Sequence, residues 1–158
     1  TIDAAKMADF KQAIDWCLAE GLAAIVNPVH DWAATPEHTY ADTEQDKYSR
    51  IWEQVAVKFA NYPLDTVAFE LLNEPRTGYS LADIISNGLT SIRNTAGNEQ
   101  RIVIVSGQGF STRQALINAF DDNIIPADDN YLIGTFHYYD PKSFTRCYHL
   151  HYAILGTD

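Results

Sequence analysis

The sequence has no apolar run approaching the roughly 20 residues that a membrane-spanning helix needs. It is short of basic charge: 11 lysines and arginines against 21 acidic residues give a formal net charge of −10. That deficit argues against nucleic acid or an anionic membrane surface as a partner, although it identifies no substrate. The two cysteines, Cys17 and Cys147, are too few for a disulfide framework. Glycine and proline are not in excess and no segment is low-complexity, so the composition gives no reason to expect disorder. No Gly-rich phosphate loop follows an apolar run; Gly107-Gln108-Gly109 is too short a signal. Thr1-Ile2-Asp3 has neither the basic nor the apolar region of a signal peptide. What the 158 residues do contain is 46% hydrophobic content, enough to bury the core of one globular domain.

Apolar runs alternate with helical patterns. Met7, Phe10, Ala13, Ile14, Cys17 and Leu18 recur at spacings of three and four, which predicts an amphipathic helix with Gly21 at its C-terminal cap. The run 22–26 follows as a buried strand without polar alternation. Tyr48, Ile51, Trp52, Val55 and Phe59 predict a second helix ending before Pro63, and 66–72 a second strand. Ser80 with Asp83 three residues on resembles a capping box opening a third helix toward Gly97. A third strand over 102–105, a short helix around 115–120 and a strand over 131–138 complete the pattern. Apolar strands separated by helices imply βαβ units and a parallel sheet.

Four such strands fit either a flavodoxin-like sheet or half of a (β/α)₈ barrel. The strand ends favour the barrel. Each stops at polar or aromatic groups: Asn27 to His30, Asn73-Glu74-Pro75, Ser106-Gly107, and His137-Tyr138-Tyr139-Asp140. Chemistry gathered at the C-terminal ends of successive strands is the habit of barrels.

The central string is Phe69-Glu70-Leu71-Leu72-Asn73-Glu74-Pro75. Strand alternation puts Ala68, Glu70, Leu72 and Glu74 on one face and Val67, Phe69 and Leu71 on the other, against helices. Glu70 then points into the barrel and Glu74 stands at its mouth. A glutamate half-buried in a cleft can serve as a general acid, with Asn73 beside it to orient it and to bond a sugar 2-hydroxyl. The plain alternative is a strand end capped by polar residues before a proline turn.

Phe69 to Pro75 resembles the fourth-strand signature of glycoside hydrolase family 5 cellulases, in which Asn-Glu-Pro carries the acid/base. Four further segments resemble that family in the same order and spacing: Gly21 to His30 its third strand, Ile51 to Pro63 the helix entering its fourth, Arg101 to Gly107 its fifth strand, and Thr135 to Thr145 its sixth. The resemblance implies a partial (β/α)₈ barrel over 1–145, covering about strands three to six of a retaining β-1,4-glucanase. It implies Glu74 as acid/base with Asn73, and His30, His137 and Tyr139 as substrate-binding residues. It implies a β-glucan partner, secretion by a signal outside this chain, and no cofactor.

Three departures stand beside it. The family's first two strands, with a substrate-site arginine, have no match before Thr1. Nothing matches its seventh-strand nucleophile motif. The tail 146–158 diverges, and Val29 replaces the first histidine of a usual pair. Retention needs two carboxyls about 5–5.5 Å apart, and the second is hard to find. Glu70 is roughly 13 Å below Glu74 at about 3.3 Å per residue. Glu37, Glu44 and Glu53 are not at strand ends, and Asp140 precedes a proline turn. The expectation is a chain with little activity of its own. An unclosed barrel leaves strand edges and apolar surface unpaired, which predicts a homo-oligomer in which copies cover one another. The alternative function is a non-catalytic truncated barrel that self-assembles and at most binds glucan; a third is an unrelated flavodoxin-like binding domain.

Of the remaining residues, Trp52 reads as core, while Trp32, in the loop after the first strand of this chain, is as much a lid residue as a sugar platform. Trp16 and Cys17 carry no assigned chemistry. The pairs Asp121-Asp122 and Asp128-Asp129 read as solvated loops. Cys147, His149 and His151 share one face if extended, one ligand short of a closed zinc site, so no metal site is assigned.

Overall fold

The computed structural model describes residues 2–28, 42–76, 80–141 and 145, the side chains of 42–45 excepted. The elements run α1 (Ala4–Ala19), β1 (Ala24–Val26), α2 (Asp42–Phe59), β2 (Val67–Glu70), α3 (Leu81–Arg93), β3 (Val103–Ser106), the single turn α4 (Gln108–Ser111), α5 (Arg113–Asp121) and β4 (Leu132–Thr135). The four strands form one parallel sheet in the order β1-β2-β3-β4. Each strand lies beside its successor in sequence. A doubly wound sheet reverses order about an early strand, so this order excludes the flavodoxin-like alternative and matches successive units of a (β/α)₈ barrel.

Local signals set the helix ends. Asp3 caps α1 by accepting from the Lys6 N–H. At the other end Gly21 takes φ +74°, Gly21 N–H bonds Leu18 O at 3.0 Å and Leu22 N–H bonds Cys17 O at 2.9 Å. That pair of bonds is a Schellman closure, which a residue with a Cβ disfavours. Ser80 Oγ accepts from Asp83 N–H at 3.2 Å and starts α3.

The core lies between the sheet and its helices. Val67, Phe69 and Val103 are fully buried and Val105 nearly so, against Trp52, Phe59, Ile84 and Ile92. Phe69 packs on Trp52 with ring centroids 5.6 Å apart and on Phe59 at 6.5 Å. Tyr48 donates its hydroxyl hydrogen to Leu71 O at 3.1 Å, fastening α2 to the end of β2. Gly88 lets α3 approach the same point, because a Cβ there would stand 2.8 Å from a Leu71 methyl. Both contacts steady the strand that leads to Glu74.

Arg101, fully buried just before β3, was expected only as part of a strand segment. Its five N–H groups are all bonded: to Asn98 Oδ1 and to the carbonyls of Pro63, Val67, Phe59 and Tyr62, at 2.7–3.2 Å. It closes the C-terminal end of α2, where carbonyls lack helical partners, and ties that end to β2 and β3. Burial pushes its pKa below the ordinary arginine value.

Several expectations are corrected. Every strand but β3 is shorter than its apolar run, and β3 is displaced by one residue. At β1 and β4 flanking N–H groups are used elsewhere: Leu22 in the α1 cap, His137 on Ser111 O at 2.7 Å. The run 22–26 does alternate, since Ile25 is 58% exposed between buried Ala24 and Val26. Its inner face has no covering layer among the described residues. Asp129 is no solvated loop residue. Arg93 Nη2 reaches Asp129 Oδ2 at 3.0 Å and Nε at 3.2 Å, while Tyr131 N–H bonds Oδ1 at 2.8 Å.

Candidate active site

The candidate site lies on the inner face of the sheet and at the C-terminal ends of its strands. Along β2 the inner residues are Ala68 and Glu70, half-buried, while Val67 and Phe69 face the helices. Glu70 pairs in register with Ile104. Its carboxylate accepts a short hydrogen bond from Asn27 Nδ2, just past the end of β1. The sequence placed Glu70 inside the barrel and Asn27 at a strand end; that they touch across 43 residues is visible only in the fold.

Alternation does not carry as far as Glu74. β2 ends at Glu70, and Glu74 takes φ +48°, a left-handed conformation that a residue with a Cβ pays for in steric strain. The bend turns Glu74 toward the end of β4. There His137 Nδ1 lies 2.7 Å from Glu74 Oε1, with the two side chains about equally exposed, at 25% for Glu74 and 26% for His137. The ring of Tyr139 meets the His137 ring edge to face at a centroid distance of 6.2 Å. His137 and Tyr139 lie beyond β4, which stops at Thr135, so their common side comes from this packing rather than from strand alternation. Asn73 is half-buried next to Glu74.

The loop after β3 completes the rim. Phe110 N–H bonds Pro75 O at 3.3 Å, Ser111 O receives the His137 N–H, and Ser111 Oγ lies 3.1 Å from Ser106 Oγ, both serines buried. The Arg76 guanidinium stands 5.6 Å from the centre of the exposed Phe110 ring. No sequence signal identified this loop beyond the polar end of β3.

The structure therefore joins Glu74, His137 and Tyr139 in one cluster with Asn73 alongside. His30, Trp32 and Glu37 lie outside the described residues, as do Cys147, His149 and His151, and the side chain of Glu44 is likewise not described. Asp140 is exposed. No group of three or more metal-ligating side chains occurs among the described residues.

Chemically, the cluster presents one glutamate at the mouth of a half-barrel. One of its oxygens is held by an imidazole. Comparison with known proteins places the chain among cellulases. The chain is 38% identical over 149 residues to Endoglucanase H of Acetivibrio thermocellus, covering 92% of this chain and 15% of that protein. It is 31% identical over 162 residues to Endoglucanase A of Ruminococcus albus, covering 91% of this chain and 43% of that protein. A solved hyperthermophilic endo-β-1,4-glucanase in complex with substrate superposes with a TM-score of 0.73 at 29% identity, covering 89% of this chain and 43% of that one. The chain thus spans less than half the length of these relatives. The model of the cellulase family, glycosyl hydrolase family 5, matches residues 1–151, and this chain belongs to that family as part of its (β/α)₈ barrel.

Proposed function

We propose that the chain supplies the acid/base half of a retaining glycosidase site acting on β-1,4-glucan. The observation that carries this reading is the contact of Glu74 with His137, made at the strand ends by residues 63 positions apart. In this reading Glu74 gives its proton to the glycosidic oxygen as the bond from that oxygen to the anomeric carbon breaks. A second carboxylate, about 5–5.5 Å away, attacks that carbon. Glu74, now ionised, then takes a proton from the water that releases the sugar. His137 holds Oε1 so that the other oxygen faces the leaving group. Asn73 orients the glutamate and bonds the sugar 2-hydroxyl, and Tyr139 and His30 border the sugar. The working protein is secreted, and its partner is a neutral polysaccharide rather than nucleic acid or a membrane.

No stretch of the sequence matches the family's nucleophile motif, so the chain by itself turns over little or nothing. The measurement is hydrolysis of carboxymethyl-cellulose and an aryl cellobioside by the purified chain beside Glu74→Gln. Robust turnover abolished by Glu74→Gln would overturn this expectation and mean that Asp140 or a second copy supplies the missing carboxylate. Calorimetric titration with cello-oligosaccharides tests the substrate class; no heat at millimolar ligand would count against it.

One observation favours a second reading, a self-assembling barrel piece. Ile25 and Ile133 on the inner face are 58% and 48% exposed. Apolar surface of this kind, with β1 and β4 each paired on one side only among the described residues, is what a second copy would cover. Light scattering at micromolar concentration tests it, and a stable monomer would dismiss it.

A further inference from the structure

Four non-glycine residues among those described have positive φ: Glu74 at 48°, Phe110 at 65°, Ser111 at 57° and Asn123 at 56°. Asparagine tolerates this region through its short polar side chain. The other three surround one contact, that of Glu74 with His137. Gly109, at φ +67°, precedes Phe110, so α4 is a single turn wound left-handed over three consecutive residues. L-residues avoid such runs, and they persist only where the surroundings over-determine them.

The surroundings do so here. Below the turn, Gly107 has no room for a side chain, since a Cβ would stand 2.2 Å from the Ala115 backbone of α5. Ser111 is buried, and its hydroxyl is bonded to that of buried Ser106 at the end of β3. The turn is thus seated on β3 and α5. From that seat it reaches both partners of the pair. Its Phe110 N–H bonds the carbonyl of Pro75, the residue after Glu74, at 3.3 Å. Its Ser111 carbonyl accepts the N–H of His137 itself at 2.7 Å. Adjacent residues of one rigid turn therefore fix the backbones that carry the two side chains.

We infer that this left-handed turn is a positioning device that sets the Glu74–His137 contact, with Phe110 and Ser111 as positioning residues acting through their backbones. The geometry stands without any catalytic assignment; its meaning for turnover rests on the reading of Glu74 as acid/base. The Phe110 ring is 54% exposed, and among the described residues its ring contact is with Arg76, so removing it opens no core. That permits a clean comparison. Phe110→Gly and Phe110→Val both lose the ring. Glycine adopts the left-handed conformation freely, whereas a β-branched residue resists it.

The experiment follows the ring nitrogens of His137 by NMR in the purified 158-residue chain, with the resonance assigned by loss in His137→Gln. Glu74→Gln defines the signal of the ring without its carboxylate. Phe110→Val is expected to move the His137 signal toward that position, and Phe110→Gly to leave it at the native one. If Phe110→Val does not fold, Gly109→Ala replaces it. Among the described residues the new Cβ there meets only Thr112 Oγ1, at 3.9 Å, so it strains the turn without a clash. The same displacement is then expected. Identical His137 signals in the valine and glycine variants, or a native signal in Gly109→Ala, would overturn the inference. Cello-oligosaccharide titration of the same variants separates the two claims. A displaced His137 signal in Phe110→Val, with no binding of cello-oligosaccharide by the native chain at millimolar ligand, would support the turn as a positioning device and count against the glycosidase reading.

Discussion

The two faces of the sheet are made by the same four strands and differ in everything else. On the helix side Val67, Phe69 and Val103 are fully buried and packed by rings from α2. On the inner side Ile25 and Ile133 are about half exposed, and Glu70 stands among them bonded to Asn27. The chain's own helices close the outer face, because each βα unit brings its own cover. The inner face of a barrel is closed only by opposite strands, and it is along the rim of that face that the Glu74–His137 cluster sits. The packed core and the candidate site are therefore set apart on one sheet, the first on its outer face and the second along the rim of its inner one.

The strongest way to break that contrast is to truncate one residue on each face. Phe69→Ala should lower stability by about 3–5 kcal/mol, since a fully buried aromatic leaves a cavity. At a concentration where the chain is monomeric, Ile133→Ala should cost less than about 0.5 kcal/mol, as an exposed position does. Denaturant unfolding of both variants measures the difference, and comparable losses would mean that the inner face is packed after all. A smaller effect is expected in association. Ile133→Glu puts a charge on the exposed inner face, and if copies of the chain cover one another there, their dissociation constant should rise about tenfold or more. Light scattering across a dilution series reads this, and an unchanged curve would move the contact to the strand edges or elsewhere.

The smallest effect lies on the outer layer, far from the rim. Lys11 Nζ bonds Asp15 Oδ2 at 2.6 Å, and the Tyr62 hydroxyl donates a short bond to Asp15 Oδ1. The bond from Lys11, with that from Tyr62, holds the Asp15 carboxyl below the usual carboxylate range. A carboxyl depressed in the folded state contributes stability above its unfolded value, and loses it as pH falls through the folded one. The melting temperatures of the native chain and Asp15→Asn should therefore differ slightly near neutral pH and converge in acid, from about pH 7 down to about pH 3. A gap that persists in acid would show that the aspartate acts through packing or helix propensity instead.

How much of this was legible beforehand follows from what each feature depends on. The helices were, because Met7 to Leu18 and Tyr48 to Phe59 repeat their own period and Ser80 and Gly21 announce their ends by local bonds. Trp52 as core was legible from that same register. The string around Asn73-Glu74-Pro75 pointed to a loop that the structure brings against His137. The strand limits were not legible, since the N–H of His137 leaves the ladder for Ser111 O, a partner 26 residues away in sequence.

The sequence by itself determined an α/β chain of alternating units, its excess of acidic charge, and a glutamate shortly after its second strand. Those follow from composition, periodicity and local capping, which act between near neighbours. Only the tertiary structure decided that the strands run in sequential order and that Asn27 meets Glu70. It alone bonded Arg101 to four carbonyls from the end of α2 and the start of β2, and brought Glu74 to His137 beside a left-handed turn. Each of these joins groups between 34 and 63 positions apart or a strained backbone to its clamp. Their energies depend on where packing of the outer face holds the ends of the strands, and no local pattern of residues carries that information.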